Sequence, residues 1–314
     1  MQNNLKNLFS IENRTKYFTH VVGTLCVISI IVFSLLLLGN KSLNDRRRSV
    51  ERNKPNPFQE ISLEAKGASV WDVVNQREIF SKNADQPLPL ASLTKVMTAL
   101  AANVSPNGKK DVEITEEDLL PEGDSNLVVG DIWKVSELRD FTLLTSSNDG
   151  AFALASMFGR EDKFVESMNN LARRIGLLNS KFFNEHGLDR EIDSGGPDMR
   201  AGGYGSAHDM TLLFEYTLKN YPEILEATRY KNLAFASAEK IYSADNTNVV
   251  IDQIPNLIAS KTGYTELAQG NLVIAYDTGL NRPIIISVLG STQEGRFTDT
   301  LKLLEASQKY IQNN

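Results

Sequence analysis

The hydrophobic pattern divides the chain near residue 57. Ahead of that point, Val21 to Leu38 is a run of 18 residues without a charge, the length a helix needs to cross a bilayer core. Its apolar character runs all the way round, unlike a core helix with one wet face. A cleaved leader has a shorter apolar stretch followed by a small-residue cleavage site. Here Leu36-Leu37-Leu38-Gly39-Asn40 follows instead, so the pattern predicts an uncleaved transmembrane anchor. A polar stretch ending in Lys54-Pro55-Asn56-Pro57 has the composition of a linker. The predicted organisation is an N-terminal segment at 1–20, a single membrane span at 21–38, a linker at 39–57 and a body at 58–314 large enough for a sizeable core.

In the body the period changes twice. Gly67 to Trp71 and Arg77 to Phe80 are strand-like and flank Asn75-Gln76, a hairpin signature. Helical spacing takes over from Leu93 to Ala102, with Pro87 and Pro89 just before it. It continues through Val135 to Ala155, broken at 146–150, then through Lys163 to Leu178 and Asp209 to Lys219. Short β-rich runs return at Leu257 to Ser260, Asn271 to Tyr276 and Pro283 to Leu289, and Thr298 to Ile311 closes as a helix. Strands at both ends with helices between them predict a mixed α/β fold of the α+β kind. In it, one antiparallel sheet takes its outer strands from the start of the body and its inner ones from the end. A helical subdomain is inserted between them.

Charge sharpens this picture. Residues 1–56 hold 9 Lys and Arg against 3 Asp and Glu, a net +6, while the whole chain is −6, which leaves −12 for the body. An acidic body argues against a nucleic-acid partner. Basic residues flank both sides of the apolar run, and the positive-inside count leans weakly towards a cytoplasmic body. The lone cysteine, Cys26, lies in that run, so the body forms no disulfide of its own.

The candidate chemistry lies in three separated strings: Ser92-Leu93-Thr94-Lys95, Ser146-Ser147-Asn148 and Lys261-Thr262-Gly263. A serine and a lysine three residues apart on a helix share one face. An amine beside a hydroxyl is one of the few ways to make serine nucleophilic without histidine. The order S-x-x-K, S-x-N, K-T-G is that of serine acyl-transferases that open β-lactams. Each string alone is weak. Ser-x-x-Lys recurs at Ser237 to Lys240, which reads as a solvated surface pair, and Ser-x-Asn recurs at Ser167 to Asn169. A serine at a helix start is ordinarily a cap. The combination carries the signal, because Ser92 opens a helix, Ser146 breaks one and Lys261 ends a strand. His186, His208, Asp189 and Asp209 lack the spacing of a metal site, so no metal or other cofactor is expected. There is no G-x-S-x-G of an α/β-hydrolase.

With Pro89 to Thr98, Ser146 to Asp149, His186 to Asp189, Ala207 to Met210, Asn246 to Asn248 and Lys261 to Thr265, the chain resembles the D-alanyl-D-alanine carboxypeptidases. These are the low-molecular-mass penicillin-binding proteins of peptidase family S11. The resemblance spans roughly residues 65–310 and implies a β-lactamase/transpeptidase-like fold. It implies a serine hydrolase that removes the terminal D-alanine from peptidoglycan stem peptides ending in D-Ala-D-Ala, with β-lactams as covalent inhibitors and without a cofactor. Ser92 would form the acyl-enzyme, Lys95 would take its proton with help from Lys261, and Ser146 would pass it to the leaving amine. Asn148 would hold the substrate amide, and Lys261 and Thr262 its terminal carboxylate. Gly263 would let an extended peptide approach the strand, and the N–H groups of Ser92 and Tyr264 would form the oxyanion hole. Arg296 falls where the family carries a carboxylate-binding arginine.

A substrate outside the cytoplasm requires an extracytoplasmic body, against the charge count. Rival activities on the same residues are DD-endopeptidase cleavage of cross-links and a class A-like β-lactamase. An inactive cell-wall-binding scaffold is the non-enzymatic alternative. Glu166 has the E-x-x-x-N spacing of a β-lactamase deacylating glutamate but reads as a surface residue. Two departures from the family pattern stand out: Gln269 occupies a usual glycine, which is expected to reshape the cleft, and Gly150 a usual alanine, which is expected to loosen its loop.

Overall fold

The computed structural model describes residues 56–313, apart from 106–109, 124, 159–160, 192–197 and 280, together with scattered positions between 18 and 34. Two compact units divide after Asn56. In the first, Phe18, Val22, Thr24, Leu25, Ser29, Phe33 and Ser34 are helical and exposed. The rest of the expected span at 21–38 lies outside the described residues. Among the described residues, no helix is long and apolar enough to cross a membrane.

The second unit opens with β1 (Gly67–Asp72) and β2 (Arg77–Lys82). The helices α1 (Thr94–Val104), α2 (Val135–Thr145), α3 (Asn148–Ser156), α4 (Glu161–Ile175) and α5 (Ala207–Asn220) follow. A hairpin, β3 (Asn232–Ala236) and β4 (Ile241–Asp245), leads to β5 (Leu257–Thr265), β6 (Gln269–Asp277) and β7 (Pro283–Ser291). The closing helix is α6 (Gly295–Asn313).

The main sheet is antiparallel, in the order β5-β6-β7-β1-β2. It is covered on both faces, α6 packing on one and α5 on the other. The inner strands β6 and β7 are therefore buried at nearly every position while their side chains still alternate in direction. Leu272, Ile274 and Tyr276 of β6 join Ile284, Ile286 and Val288 of β7 in the core under α6. Val273, Ala275, Ile285 and Leu289 join the larger core with Met210, Leu213 and Phe214 of α5. Asp299 on α6 ties the two ends of the unit together, accepting from Ala65 N at 2.8 Å and Ser291 Oγ at 2.9 Å.

The strand order corrects the sequence expectation. β2 is one edge and β5 the other, so the strand bearing Lys261 is not internal. The physical reason is that β1 pairs along its whole length with β7, which adds the N-terminal hairpin to the far side. Periodicity identifies strands but does not say which neighbour each one takes. The β3–β4 hairpin was also absent from the sequence pattern. Its turn holds Ser237, whose Oγ accepts from the N–H groups of Glu239 and Lys240, so the second Ser-x-x-Lys is an exposed turn.

The helix break is shorter than the pattern predicted. Only Ser146 and Ser147 interrupt: Ser146 ends α2 in the left-handed region at φ 64°, and Ser147 Oγ caps α3 by accepting from Gly150 N at 2.8 Å. Gly150 lies buried in the first turn of α3 rather than in a loose loop. A Cβ there would stand 2.2 Å from Thr142 Oγ1 on α2, so glycine lets the two helices close on each other. Gly150→Ala is expected to destabilise the fold by about 1–3 kcal/mol through overpacking. Thr142→Ala, added to it, is expected to recover most of that loss, which urea denaturation of the two variants measures.

Candidate active site

Ser92 is the middle residue of a 3-10 turn, Ala91–Leu93, immediately ahead of α1. The turn is held from below, where Leu90 N donates to Gly203 O at 2.9 Å. Ala91 adopts φ 48°, a conformation an L-residue keeps only when its surroundings enforce it. The enforcing contacts are close. Gly187, at φ 83°, passes so near that a Cβ would stand 2.0 Å from Ala91 O.

From this turn α1 runs through the core with nine consecutive buried residues, Thr94 to Ala102. Lys95 is one of them and has no exposed surface. Its Nζ lies 2.9 Å from Ser92 Oγ, 2.7 Å from Asn148 Oδ1 and 2.6 Å from His186 O. A neutral amine has two N–H groups and one lone pair. With the two carbonyl oxygens taking those N–H groups, the lone pair of the neutral form is left for the Ser92 hydroxyl. Burial lowers the Lys95 pKa to about 7, against the raising influence of Glu185 and then Asp149.

Ser146 and Lys261 form a second hydroxyl–amine pair. Lys261 Nζ donates to Ser146 Oγ at 2.8 Å and to Thr262 O at 2.9 Å. Burial first, and then the charges of Lys95 and Arg296, hold its pKa well below the usual lysine value. Thr262 Oγ1 shares a hydrogen bond of 2.6 Å with Thr247 Oγ1. Arg296, at the start of α6, donates from Nη1 to Gly263 O at 3.0 Å, which places its guanidinium beside the same strand. Tyr264 follows, more than a third exposed.

All nine residues singled out in the sequence therefore lie on four elements that meet at one end of the sheet: the 3-10 turn with α1, the α2–α3 break, β5 and the start of α6. Gly263 has a different reason from the one expected. A Cβ there would stand 2.8 Å from Leu90 O and 3.2 Å from Ser92 N, so glycine is needed for β5 to close on the turn that carries Ser92.

The sequence reading missed Glu122 and the carbonyl role of His186. Asn148 Nδ2 donates to Glu122 O at 2.5 Å. Nothing in a sequence shows which backbone carbonyl meets a lysine. Beside Asn148 an open groove of about 560 Å³ runs between Glu122, Leu188 and Tyr264 to Leu267. Asp189 closes one end by accepting from Leu267 N at 3.1 Å. Gln269 takes φ 57° and donates to Glu266 O at 2.6 Å, so it keeps the glycine-like backbone and folds its side chain onto the turn. Glu166 is exposed on α4. His208 sits elsewhere, edge-on to Trp71 and beside Glu78.

A nucleophile paired with a buried lysine, at the open edge of an antiparallel sheet between two helical layers, defines a serine acyl-transfer site. The comparisons agree with that class. The family model for D-alanyl-D-alanine carboxypeptidase, Peptidase_S11, matches residues 52–293, and the chain belongs to that family. D-alanyl-D-alanine carboxypeptidase DacF of Bacillus subtilis is 29% identical over 282 residues, 87% of this chain and 70% of that protein. DacA of Haemophilus influenzae is 32% identical over 237 residues, 71% of this chain and 56% of that protein, so the chain spans little more than half of that relative. Among solved structures, a D-alanyl-D-alanine carboxypeptidase of Mycobacterium tuberculosis superposes with a TM-score of 0.70 at 25% identity, covering 81% of this chain and 96% of that one. Penicillin-binding protein D2 of Listeria monocytogenes, in its ampicillin-bound form, gives 0.68 at 27% identity, covering 81% and 99%.

His186 has a fixed tautomer. Its Nδ1 accepts from Leu188 N at 3.0 Å, which leaves the proton on Nε2. Burial, and then the charge of Lys95, lowers its pKa to about 3. Nitrogen-15 NMR is expected to show a neutral Nε2–H imidazole from pH 5 to 8, with no titration step.

Proposed function

We propose that this protein is a serine-type D-Ala-D-Ala carboxypeptidase that removes the terminal D-alanine from peptidoglycan stem peptides. The observation that carries this reading is the Lys95 amine, buried, close to neutral at physiological pH and 2.9 Å from Ser92 Oγ.

Lys95 Nζ takes the Ser92 proton as Oγ bonds to the carbonyl carbon of the penultimate D-alanine. The negative charge that develops on the carbonyl oxygen is met by the N–H groups of Ser92 and Tyr264, each worth about 3 kcal/mol in a comparable hydrolase. The peptide C–N bond then breaks. The leaving D-alanine takes a proton through Ser146, whose hydroxyl accepts from Lys261 Nζ, and departs as the free amino acid. Water attacks the remaining ester, and the proton it loses returns to Ser92 as the enzyme is restored.

Substrate placement follows from the strand. β5 is an edge strand, the place on a sheet where an extended peptide can add. Lys261, Thr262 and Arg296 gather positive and hydroxyl donors around the same stretch of β5, where a terminal carboxylate is bound. Asn148 presents its amide to the other side of the peptide. A β-lactam mimics that terminus and traps Ser92 as a stable ester, which makes it the natural covalent inhibitor.

We further propose that Val21 to Leu38 anchors the protein in the cell membrane, with the body outside the cytoplasm where peptidoglycan lies. The length and uncharged character of the run support this.

Ser92→Ala is expected to abolish both labelling by fluorescent penicillin and release of D-alanine from a monomeric pentapeptide, a loss on the order of 10³-fold or more. Unchanged turnover in that variant would refute the reading. The same assay on dimeric muropeptides separates carboxypeptidase from endopeptidase action. A reporter fused to the C-terminus is expected to work only outside the cytoplasm, and activity confined to the cytoplasm would overturn the topology.

A further inference from the structure

The substrate path continues past the catalytic groups. Their order on β5 gives an extended peptide its direction. The terminal carboxylate belongs at Lys261 and Thr262, and the scissile carbonyl at the N–H of Tyr264, further along the same strand. β5 and a peptide laid against it both advance by about 3.3–3.4 Å per residue. The residue before the two D-alanines therefore falls beyond Tyr264, at the open groove of about 560 Å³ that Asn148, Tyr264 and Leu267 border.

That groove is formed by the fold itself. Asn148 Nδ2 donates to Glu122 O at 2.5 Å on the loop side. On the strand side, Leu267 N donates to Asp189 Oδ2 at 3.1 Å, and Ala268 N to Thr265 Oγ1 at 3.1 Å. Three segments far apart in the chain are thus braced around one cleft before any ligand arrives.

Its lining combines two kinds of surface. Leu188, Met199 and Leu267 are apolar, and the last two are exposed. The charged lining residues, Glu122, Asp189 and Glu266, are all acidic, and among the described residues no Lys, Arg or His lines the groove. The cations next in sequence, Arg190 and Arg200, lie instead over the ring of Phe183, 5.9 and 3.6 Å from its centroid. Asp189 commits one oxygen to Leu267 N. Glu122 and Glu266 are exposed and make no ion pair among the described residues.

Apolar walls with acidic groups and no cation match a side chain that has a methylene stem and an ammonium end. We propose that this groove is a specificity subsite for the amine-bearing side chain of the residue before D-Ala-D-Ala. Glu122 and Glu266 are the groups that tell a free ammonium from an acylated one. The inference rests on the carboxypeptidase reading and narrows its substrate. In peptidoglycan, cross-linking converts that amine to an amide. The positive charge is present on a stem that has not served as an acceptor and absent from one that has, so the groove favours stems not yet used in that way.

The test uses the full-length protein and two pentapeptides that differ only in the residue before D-Ala-D-Ala, L-lysine in one and Nε-acetyl-L-lysine in the other. From the rate of D-alanine release, kcat/KM is expected to be about fivefold or more higher for the lysine peptide, since an exposed ion pair contributes on the order of two- to fivefold. The ratio is expected to shrink as salt rises from about 50 to about 500 mM. In the double variant Glu122→Gln, Glu266→Gln it is expected to fall towards one. A structural defect would lower both values together and leave their ratio in place. A ratio near one in the wild type, a ratio insensitive to salt, or a ratio that survives the double substitution would overturn the proposal. Penicillin labelling separates the two readings. A wild type that neither takes the label nor releases D-alanine from either peptide sinks the serine reading and this inference together. One that does both without preference between the peptides sinks this inference alone.

Discussion

Everything at the site depends on keeping one lysine amine out of water. In solvent Lys95 would hold its proton and be useless as a base. With no exposed surface, it is brought to about 7, a change in protonation energy on the order of 4–5 kcal/mol. The fold supplies that environment by sinking α1 through the core with no wet face. It then meets the amine with two carbonyl oxygens and one hydroxyl, so the nitrogen is satisfied without an additional proton.

The same burial explains why several glycines stand where they do. A lysine at the base of a cleft leaves little room for the elements that must surround it. Gly187 passes against Ala91, Gly263 against Leu90 and Ser92, and Gly150 against Thr142. At Gly187 and Gly263 the missing side chain lets backbone reach backbone, and at Gly150 it makes room for the Thr142 hydroxyl. The resulting closeness forces Ala91 into a left-handed conformation and sets Ser92 at the mouth of the site, half-exposed above a buried amine. Rigidity and reactivity therefore share one cause, since the contacts that compress the turn also align Oγ with Nζ.

The open edge of the sheet is the second requirement. β5 has a hydrogen-bonded neighbour on one side only, and the residues that gather positive charge lie along it. That arrangement exists because the N-terminal hairpin pairs with β7 and leaves β5 free. An edge strand is ordinarily a liability. Here it carries Lys261, has Arg296 bonded beside it, and faces a groove whose walls come from Leu188, Asp189 and the loop at Glu122.

Local features were readable from the chain alone: helical spacing on α4, the apolar runs of the strands, the helix break at Ser146, and a serine and lysine three residues apart on one helix face. Those follow from backbone geometry and need no partner, which is why Ser92, Lys95, Ser146 and Lys261 were legible in advance. Tertiary packing settled which strand became the edge, why Gly150 and Gly263 are glycines, and which backbone carbonyls meet Lys95 and Asn148. Each of these is a contact between segments far apart in the chain. Their strength comes from exclusion of water, a property of the assembled core that no single stretch of sequence carries.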